Sequence, residues 1–324
     1  MIKKKRLFYL ICLIPLVWVG VEYGWEFAFA CVAGFFLLLG ALKLWKMTAS
    51  THRLAELQAL QARYGWDAQA AALPRREAPP QQWNFVVLGD TRNNVPISRA
   101  LYKRARTEEP DMLFHTGDIV RSGTPRELLD NHIRVIEEEG LTFPVFCVPG
   151  NHERGPLYNF AAYKALYGSE RFSFVHESCI FVGFNNSGKR GVRDEDLEFL
   201  EAALKPPSKH SFVFLHIPPA FFEAAFVLDS HRRGFKKNAG RFHEIVCEYN
   251  VDEVFMAHIH GYASAVIDGV RYTLTGGGGA PLSPRLARQD RHYHLLNMRI
   301  TQDGIERELC VYRDGDWIKR DVAT

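Results

Sequence analysis

Five short apolar runs each stop abruptly at residues able to bind a metal or a phosphate. Phe85-Val86-Val87-Leu88 gives way to Gly89-Asp90-Thr91-Arg92-Asn93, and Met112-Leu113-Phe114 leads through His115-Thr116 to Gly117-Asp118. Phe143 to Val148 closes on Pro149-Gly150-Asn151-His152-Glu153. Phe212 to Leu215 meets His216-Ile217-Pro218-Pro219, and Val254 to Ala257 meets His258-Ile259-His260-Gly261. Short apolar runs bounded by Gly and Pro read as buried strands ending in sharp turns. Between them, helix signals predict helices from Pro96 through Ala105 and from Pro125 through Glu139, each opened by its proline. Further helices are expected over Pro156 to Tyr167, over Asp194 to Leu204 with its acidic start, and over Arg241 to Tyr249. Arg171 to Phe184 reads as paired strands, and Tyr262 to Thr275 as a hairpin turning at Asp268-Gly269. His292 to Ile300 and Ile305 to Tyr312 are two more strands, turning at Asp303-Gly304. Strands alternating with helices predict an α/β fold, here a two-sheet α/β sandwich.

The first 46 residues follow a different pattern. Lys3-Lys4-Lys5-Arg6 precedes the apolar run Leu7 to Val21; Glu22-Tyr23-Gly24-Trp25-Glu26 interrupts; Phe27 to Leu42 is apolar again, closed by Lys43 and Lys46. Each run is a little short of the roughly 20 residues of a full span. Trp18, Tyr23, Trp25 and Trp45 are suited to anchoring at the interfaces. The pattern predicts a two-helix transmembrane hairpin over residues 1–46, as in a bacterial-type inner membrane. Positive charge at both ends puts the termini and the following domain in the cytoplasm. A cleaved leader, with Ala28-Phe29-Ala30-Cys31 as a lipoprotein-like site, is the competing reading. It would leave the apolar Val32 to Trp45 unexplained on the mature chain.

Residues 47–82 join the two parts. Leu54, Leu57 and Leu60 at helical spacing suit a helix lying on the bilayer or one packed on the following domain. Pro74, Pro79 and Pro80 mark a linker ending near Gln82, so the main domain is expected over residues 83–324. At 324 residues and 47% hydrophobic, the chain is long enough for that domain plus an appendage. A net charge of +3 gives no footprint for nucleic acid. Six cysteines without a CxxC pair read as buried thiols.

If the five strands share sheets, Asp90, Asp118, Asn151, His216, His258 and His260 converge. That mixed oxygen and nitrogen set suits two divalent ions of the Mn, Fe or Zn kind, and has too much imidazole for Ca or Mg. The order GD…GD…GNHE…H…HxH, from Phe85 to His260 with a tail to about Arg313, resembles the calcineurin-like metallophosphoesterases. The resemblance implies one ion on Asp90, Asp118 and His260. It implies a second on Asp118, Asn151, His216 and His258, with Asp118 bridging. It also implies that His152 stands by the leaving group with Glu153 orienting it, and that a metal-activated water attacks a phosphoester or phosphoanhydride.

Two positions depart from the family pattern. The usual Asp-x-His is Asp90-Thr91-Arg92 here, and arginine, always protonated, cannot ligate a cation. Arg92 would instead hold substrate phosphate, leaving water or Asn93 at the vacant position. The usual Gly-His-x-His is Ala257-His258-Ile259-His260.

Candidate substrate residues are Arg92, Asn93, and Arg232 and Arg233 in the basic turn His231 to Lys237. That turn follows the apolar stretch Pro219 to Leu228. Together they would take an acyl chain and a phosphate, or form a core helix with a solvated loop. Gly276-Gly277-Gly278-Gly279 lacks the ending of a nucleotide-binding loop. It either admits a ligand closely or makes a tight turn between sheets. The expected substrates are phosphorylated small molecules, lipids or lipid-linked sugars, with phosphoproteins and nucleotides open. A membrane-tethered scaffold with a degraded metal site is the alternative.

Overall fold

The structure is a computed structural model; it describes residues 21–155, 159–188, 191–222 and 234–322. The chain divides into two units, Met1–Arg53 and Leu54–Thr324.

In the first unit, residues 21–23 are helical, Gly24 takes φ 92°, and helix α1 (Trp25–Tyr64) begins immediately after it. The helix breaks where the acidic, aromatic turn was expected, at a glycine that tolerates the left-handed region. Phe29, Phe35, Phe36, Leu37 and Leu38 all stand exposed on α1. The run Leu7 to Val21 lies, but for its last residue, outside the described residues. Among the described residues no helix is long and apolar enough to cross a membrane.

The helix does not stop at Lys46 or at a unit boundary, because nothing from Lys43 to Tyr64 is a breaker. Its last part, Leu54 to Tyr64, belongs to the second unit, where Leu57 and Tyr64 are buried and Leu54 and Leu60 pack against the core. This leucine stripe therefore faces protein. Helix α2 (Trp66–Ala71) follows; the Trp66 ring stacks on Tyr167 at 4.3 Å, and its Nε1–H donates to the Ser169 carbonyl.

Two six-stranded sheets form the second unit. The first contains β1 (Gln82–Leu88), β2 (Met112–His115), β3 (Val145–Cys147), β10 (Tyr293–Thr301), β11 (Ile305–Arg313) and β12 (Asp316–Asp321), ordered β12-β11-β10-β1-β2-β3. The second contains β4 (Arg171–His176), β5 (Cys179–Phe184), β6 (His210–Phe214), β7 (Glu253–Met256), β8 (Tyr262–Ile267) and β9 (Val270–Thr275), ordered β4-β5-β6-β7-β9-β8. β1, β2 and β3 run parallel, as do β5, β6, β7 and β9, while the hairpin partners are antiparallel. This is the expected two-sheet α/β sandwich.

Aromatic rings fill the space between the sheets. Phe114 stacks on Phe214 with centroids 4.0 Å apart, and Phe85 meets Phe181 and Phe212 edge-on. Strands covered on both faces need continuous apolar runs, which is why β2, β5 and β7 carry no alternation.

Helices α3 (Val95–Thr107), α6 (Ala161–Tyr167), α7 (Asp194–Leu204) and α8 (Ala239–Glu248) cover the outer faces. Between α3 and α6, α4 (Pro125–Leu128) passes through a π-helical turn at Leu129–Ile133 into α5 (Arg134–Glu138). The expected helix from Pro125 thus forms, with one widened turn that puts His132 in the core against the Tyr167 hydroxyl. The expected hairpin turns at Asp268-Gly269, with φ positive at both residues.

Candidate metal centre

β1, β2 and β3 of one sheet and β6 and β7 of the other deliver their C-terminal ends to one place. The loops there are held in conformations that side chains rarely adopt: φ is 61° at Asp90, 44° at Arg92, 64° at Asn93, 53° at Asp118 and 73° at His258. Positive φ on non-glycine residues costs of order 1–3 kcal/mol each and persists only where surroundings enforce it.

Here the enforcement is backbone pairing. The Asp90 N–H donates to the Gly117 carbonyl at 3.0 Å, and the Arg92 N–H to that of Asp118 at 3.1 Å. Gly150 admits the Asp118 loop, since a Cβ there would fall 2.2 Å from Asp118 Oδ1. The four-glycine run packs on the same loops. Gly278 N–H donates to Gly89 O at 2.7 Å, and a Cβ on Gly276 would lie 2.8 Å from Asp90 Oδ2. Its smallness serves the close approach of protein backbone.

The carboxylates and imidazoles are then fixed one by one. Asp90 Oδ2 accepts from the His258 N–H at 2.8 Å and Asp118 Oδ1 from the His152 N–H at 2.9 Å. His216 Nδ1–H donates to the Thr116 carbonyl at 2.8 Å and His260 Nδ1–H to that of Pro281 at 2.7 Å. Those bonds select the tautomer whose Nε2 lone pair points into the site, as metal-ligating histidines require. Burial holds the pKa of both His216 and His260 below the ordinary value, so the rings stay neutral and available as ligands.

Asp90 is driven the other way, well above the carboxylate range, by burial and by the neighbouring Asp118. For Asp118 burial pulls upward, but the surrounding imidazoles, His216 foremost, outweigh it and lower its pKa. Two carboxylates this close and this buried call for cations.

Ligand atoms of Asp118, His216 and His258 lie within 4.8 Å of one another, and so do those of Asp90, Asp118 and His260. Asp118 belongs to both groups. Asp90 Oδ1, Asn151 Oδ1 and His216 Nε2 are buried without a hydrogen-bond partner. Each such orphan would cost about 1–3 kcal/mol unless a ligand satisfies it, and all three belong to the converging set. The donor set therefore fits two divalent ions.

His152 and Arg92 stand beside this set. His152 Nδ1–H donates to the Arg121 carbonyl at 2.5 Å, and its Nε2 lies 3.7 Å from Asp118 Oδ2. Glu153 does not orient it. The buried Glu153 carboxylate accepts three backbone N–H bonds, from Asp118 at 2.8 Å, Gly150 at 2.7 Å and Val120 at 3.0 Å. It ties the second and third loops together, and burial with the nearby Asp118 charge pushes its pKa up to about 8. Arg92 reaches His260 Nε2 with Nη1 at 3.2 Å, Asp118 Oδ2 with Nε at 3.7 Å, and the His152 ring with Nη2.

Above them opens a cleft of about 620 Å³ lined by Arg92, Asn93, Asn94, Arg121, Pro281 and Tyr293. Asn93 is thus a cleft residue, with its Oδ1 buried and unpartnered. Arg232 and Arg233 lie outside the described residues.

Three further residues are missing from the motif pattern. Arg121 and Tyr293 line the cleft. Asn186, after the β5 run, accepts the His216 N–H at 3.1 Å and the Ile217 N–H at 3.0 Å. Its signal was the same as for the others, a polar residue closing an apolar run. His115 sits behind the ligands, where its Nε2 meets the Thr91 hydroxyl at 3.1 Å and its Nδ1 accepts from the Gly117 N–H at 3.2 Å.

A two-sheet sandwich with carboxylates and neutral imidazoles converging at its strand ends marks the class of metal-dependent hydrolases. The profile of the calcineurin-like phosphoesterases matches residues 84–262, and the chain belongs to that family. The family is one of metal-dependent phosphoesterases working with two divalent ions.

Similar solved structures include the purple acid phosphatase PPD1 from yellow lupin (Lupinus luteus) seeds, with TM-score 0.59 and 17% identity. That match covers 76% of this chain and 54% of the lupin chain, so this chain spans about half of that protein's length. GAP50, described as the anchor in the inner membrane complex of Plasmodium, gives TM-score 0.58 and 14% identity over 75% of this chain and 89% of its own. At these identities the likeness is one of fold. No curated protein matches this sequence.

Proposed function

We propose that the protein hydrolyses a phosphoester or phosphoanhydride and works at a membrane, to which its N-terminal unit attaches it. The observation that carries the reading is the convergence of two ligand groups that share Asp118, with Asp90 Oδ1 and His216 Nε2 in them buried and unpartnered, below a cleft bearing two arginines.

The ions, when bound, supply Lewis-acid stabilisation of phosphate oxygens and lower the pKa of water. The chain's own groups do the rest. Asp118 holds both ligand groups together, and the Glu153 carboxylate fixes its loop. Arg92 and Arg121 are matched to a phosphate or diphosphate anion entering the cleft. The guanidinium geometry allows two parallel N–H bonds to one phosphate. His152 is aligned by the Arg121 carbonyl and its Nε2 lies against Arg92; with that guanidinium turned to a bound phosphate and the ring carrying a second proton, Nε2 would donate to the departing oxygen, a step typically worth 10²–10⁴-fold.

Exposed Phe35, Phe36, Leu37 and Leu38 on α1, following the apolar run from Leu7 after the break at Glu22 to Glu26, support a membrane hairpin. Lysines and arginines flanking both runs support a cytoplasmic catalytic unit, which a reporter fused after Thr324 would test. A lipid or lipid-linked phosphate is the substrate class that suits such tethering. The runner-up is a scaffold, favoured by Arg92 where the family has an imidazole.

The test separates metal from proton. Asp118→Asn should lose bound metal and at least about 10²-fold of aryl phosphate hydrolysis. His152→Ala should keep its metal and lose turnover mainly on esters with poor leaving groups. Equal metal loss in both variants would contradict this division, and a metal-loaded wild type inert on lipid pyrophosphates, nucleotides and phosphopeptides would favour the scaffold.

A further inference from the structure

The two ligand groups are unequal, and Arg92 is the reason. The group around His216 holds Asp118, His216 and His258, with His216 Nε2 buried and nothing bonded to it; the family pattern adds Asn151, whose Oδ1 is likewise buried and unpartnered. The group around His260 holds Asp90, Asp118 and His260, and a guanidinium already lies against two of them. His260 gives its Nδ1–H to Pro281, so its one lone pair is on Nε2, and Arg92 Nη1–H donates to that lone pair at 3.2 Å. Asp118 Oδ2, the other oxygen an ion here would use, has Arg92 Nε at 3.7 Å. An arginine keeps its proton at any working pH, so it cannot yield the place by deprotonation. It also repels a divalent cation across a few ångströms of a largely buried site.

We propose that the centre loads asymmetrically: one ion binds tightly at the His216 group, and Arg92 competes with the second ion for His260. Arg92 is held there by its own loop. Its N–H is tied to the Asp118 carbonyl, and its backbone is left-handed at φ 44°, so the side chain starts beside the ligands rather than out in the cleft. Loading the second ion requires the guanidinium to leave His260 and turn toward the cleft it lines, where an anion would receive it. This inference rests on the metal-hydrolase reading but concerns ion affinity alone.

The full chain, stripped with a chelator, should be titrated with Mn²⁺ by calorimetry and by electron paramagnetic resonance. The wild type should take up one equivalent with the spectrum of an isolated Mn²⁺, and a second at least about tenfold more weakly, a gap of ~1.4 kcal/mol. Arg92→Ala, which removes the competing charge, should narrow the gap. Arg92→His, which adds an imidazole as well, should close it and give an exchange-coupled pair. His260→Ala should abolish only the weak event, and His216→Ala should remove the tight one. Two equivalents bound by the wild type in a single step, or an unchanged or wider gap in Arg92→Ala, would overturn the proposal. Asymmetric loading without turnover on any phosphoester sinks the hydrolase reading and leaves this inference standing; equal loading with turnover does the reverse.

Discussion

Phe36 and Phe114 are the same side chain in opposite circumstances. On α1 of the first unit, Phe36 is 65% exposed, with Phe35, Leu37 and Leu38 bare beside it; between the sheets of the second unit, Phe114 is 1% exposed and touches six other phenylalanines. One region has satisfied its apolar surface with its own chain. Among the described residues the other leaves a bare patch that water disfavours. The hydrophobic effect is identical in both; what differs is how much of the apolar surface the chain itself covers. Leu57, further along the same α1, is buried, so one helix passes from one regime to the other.

The largest expected difference lies in unfolding. Phe114→Ala should cost about 3–5 kcal/mol through lost transfer energy and a cavity, while Phe36→Ala should stay within about 0.5 kcal/mol. Denaturant midpoints of the two variants in detergent check this, and similar losses would erase the distinction between the regions. Leu57→Ala marks the transition. If the end of α1 is part of the globular core, the substitution should cost about 2–3 kcal/mol. A value near that of Phe36→Ala would move the boundary of the folded unit past Tyr64.

Membrane binding should invert the order. Replacing Phe36 and Leu37 by Asp removes about 1.5–3 kcal/mol of burial per side chain, so flotation with phospholipid vesicles should fall at least about tenfold. Folding and aryl phosphate hydrolysis should be retained. Undiminished flotation would mean that this face of α1 contributes nothing to attachment.

The two regions also differ in how far they could be read from residues alone. α7 matches its expected bounds because an acidic start and an apolar period coincide at Asp194, and the five strand ends were legible because each joins an unbroken apolar run to a polar cluster. β12 left no such trace: an edge strand, mostly exposed, has no buried face to impose alternation. The π turn at Leu129–Ile133 was equally silent, since one inserted residue barely alters a helical period.

At the centre, residue type was enough to single out side chains that come together but not to give Glu153 its partners. Three backbone N–H groups claim it, and backbone donors carry no sequence signature. Arg121 and Tyr293 joined the cleft from segments with no motif, by chain path alone.

The smallest expected effect tests the core side of the comparison by pH. His132 and His294 are buried inside the second unit, and burial brings each down to about 3 from an ordinary 6.5. Because the fold holds these rings neutral while the unfolded chain protonates them, their contribution is fully present above about pH 6.5 and is lost as pH falls toward 3. At the limiting slope each group removes about 1.4 kcal/mol per pH unit. Urea midpoints measured at pH 7, 6 and 5 should therefore fall, and His132→Gln, which can still meet the Tyr167 hydroxyl, should fall less steeply by about one group's share. Parallel slopes for wild type and His132→Gln would mean that His132 is reached by water and proton in the native state. The buried character ascribed to this side of the molecule would then fail at a point only one hydrogen bond from the Trp66–Tyr167 stack that docks α2 on the core.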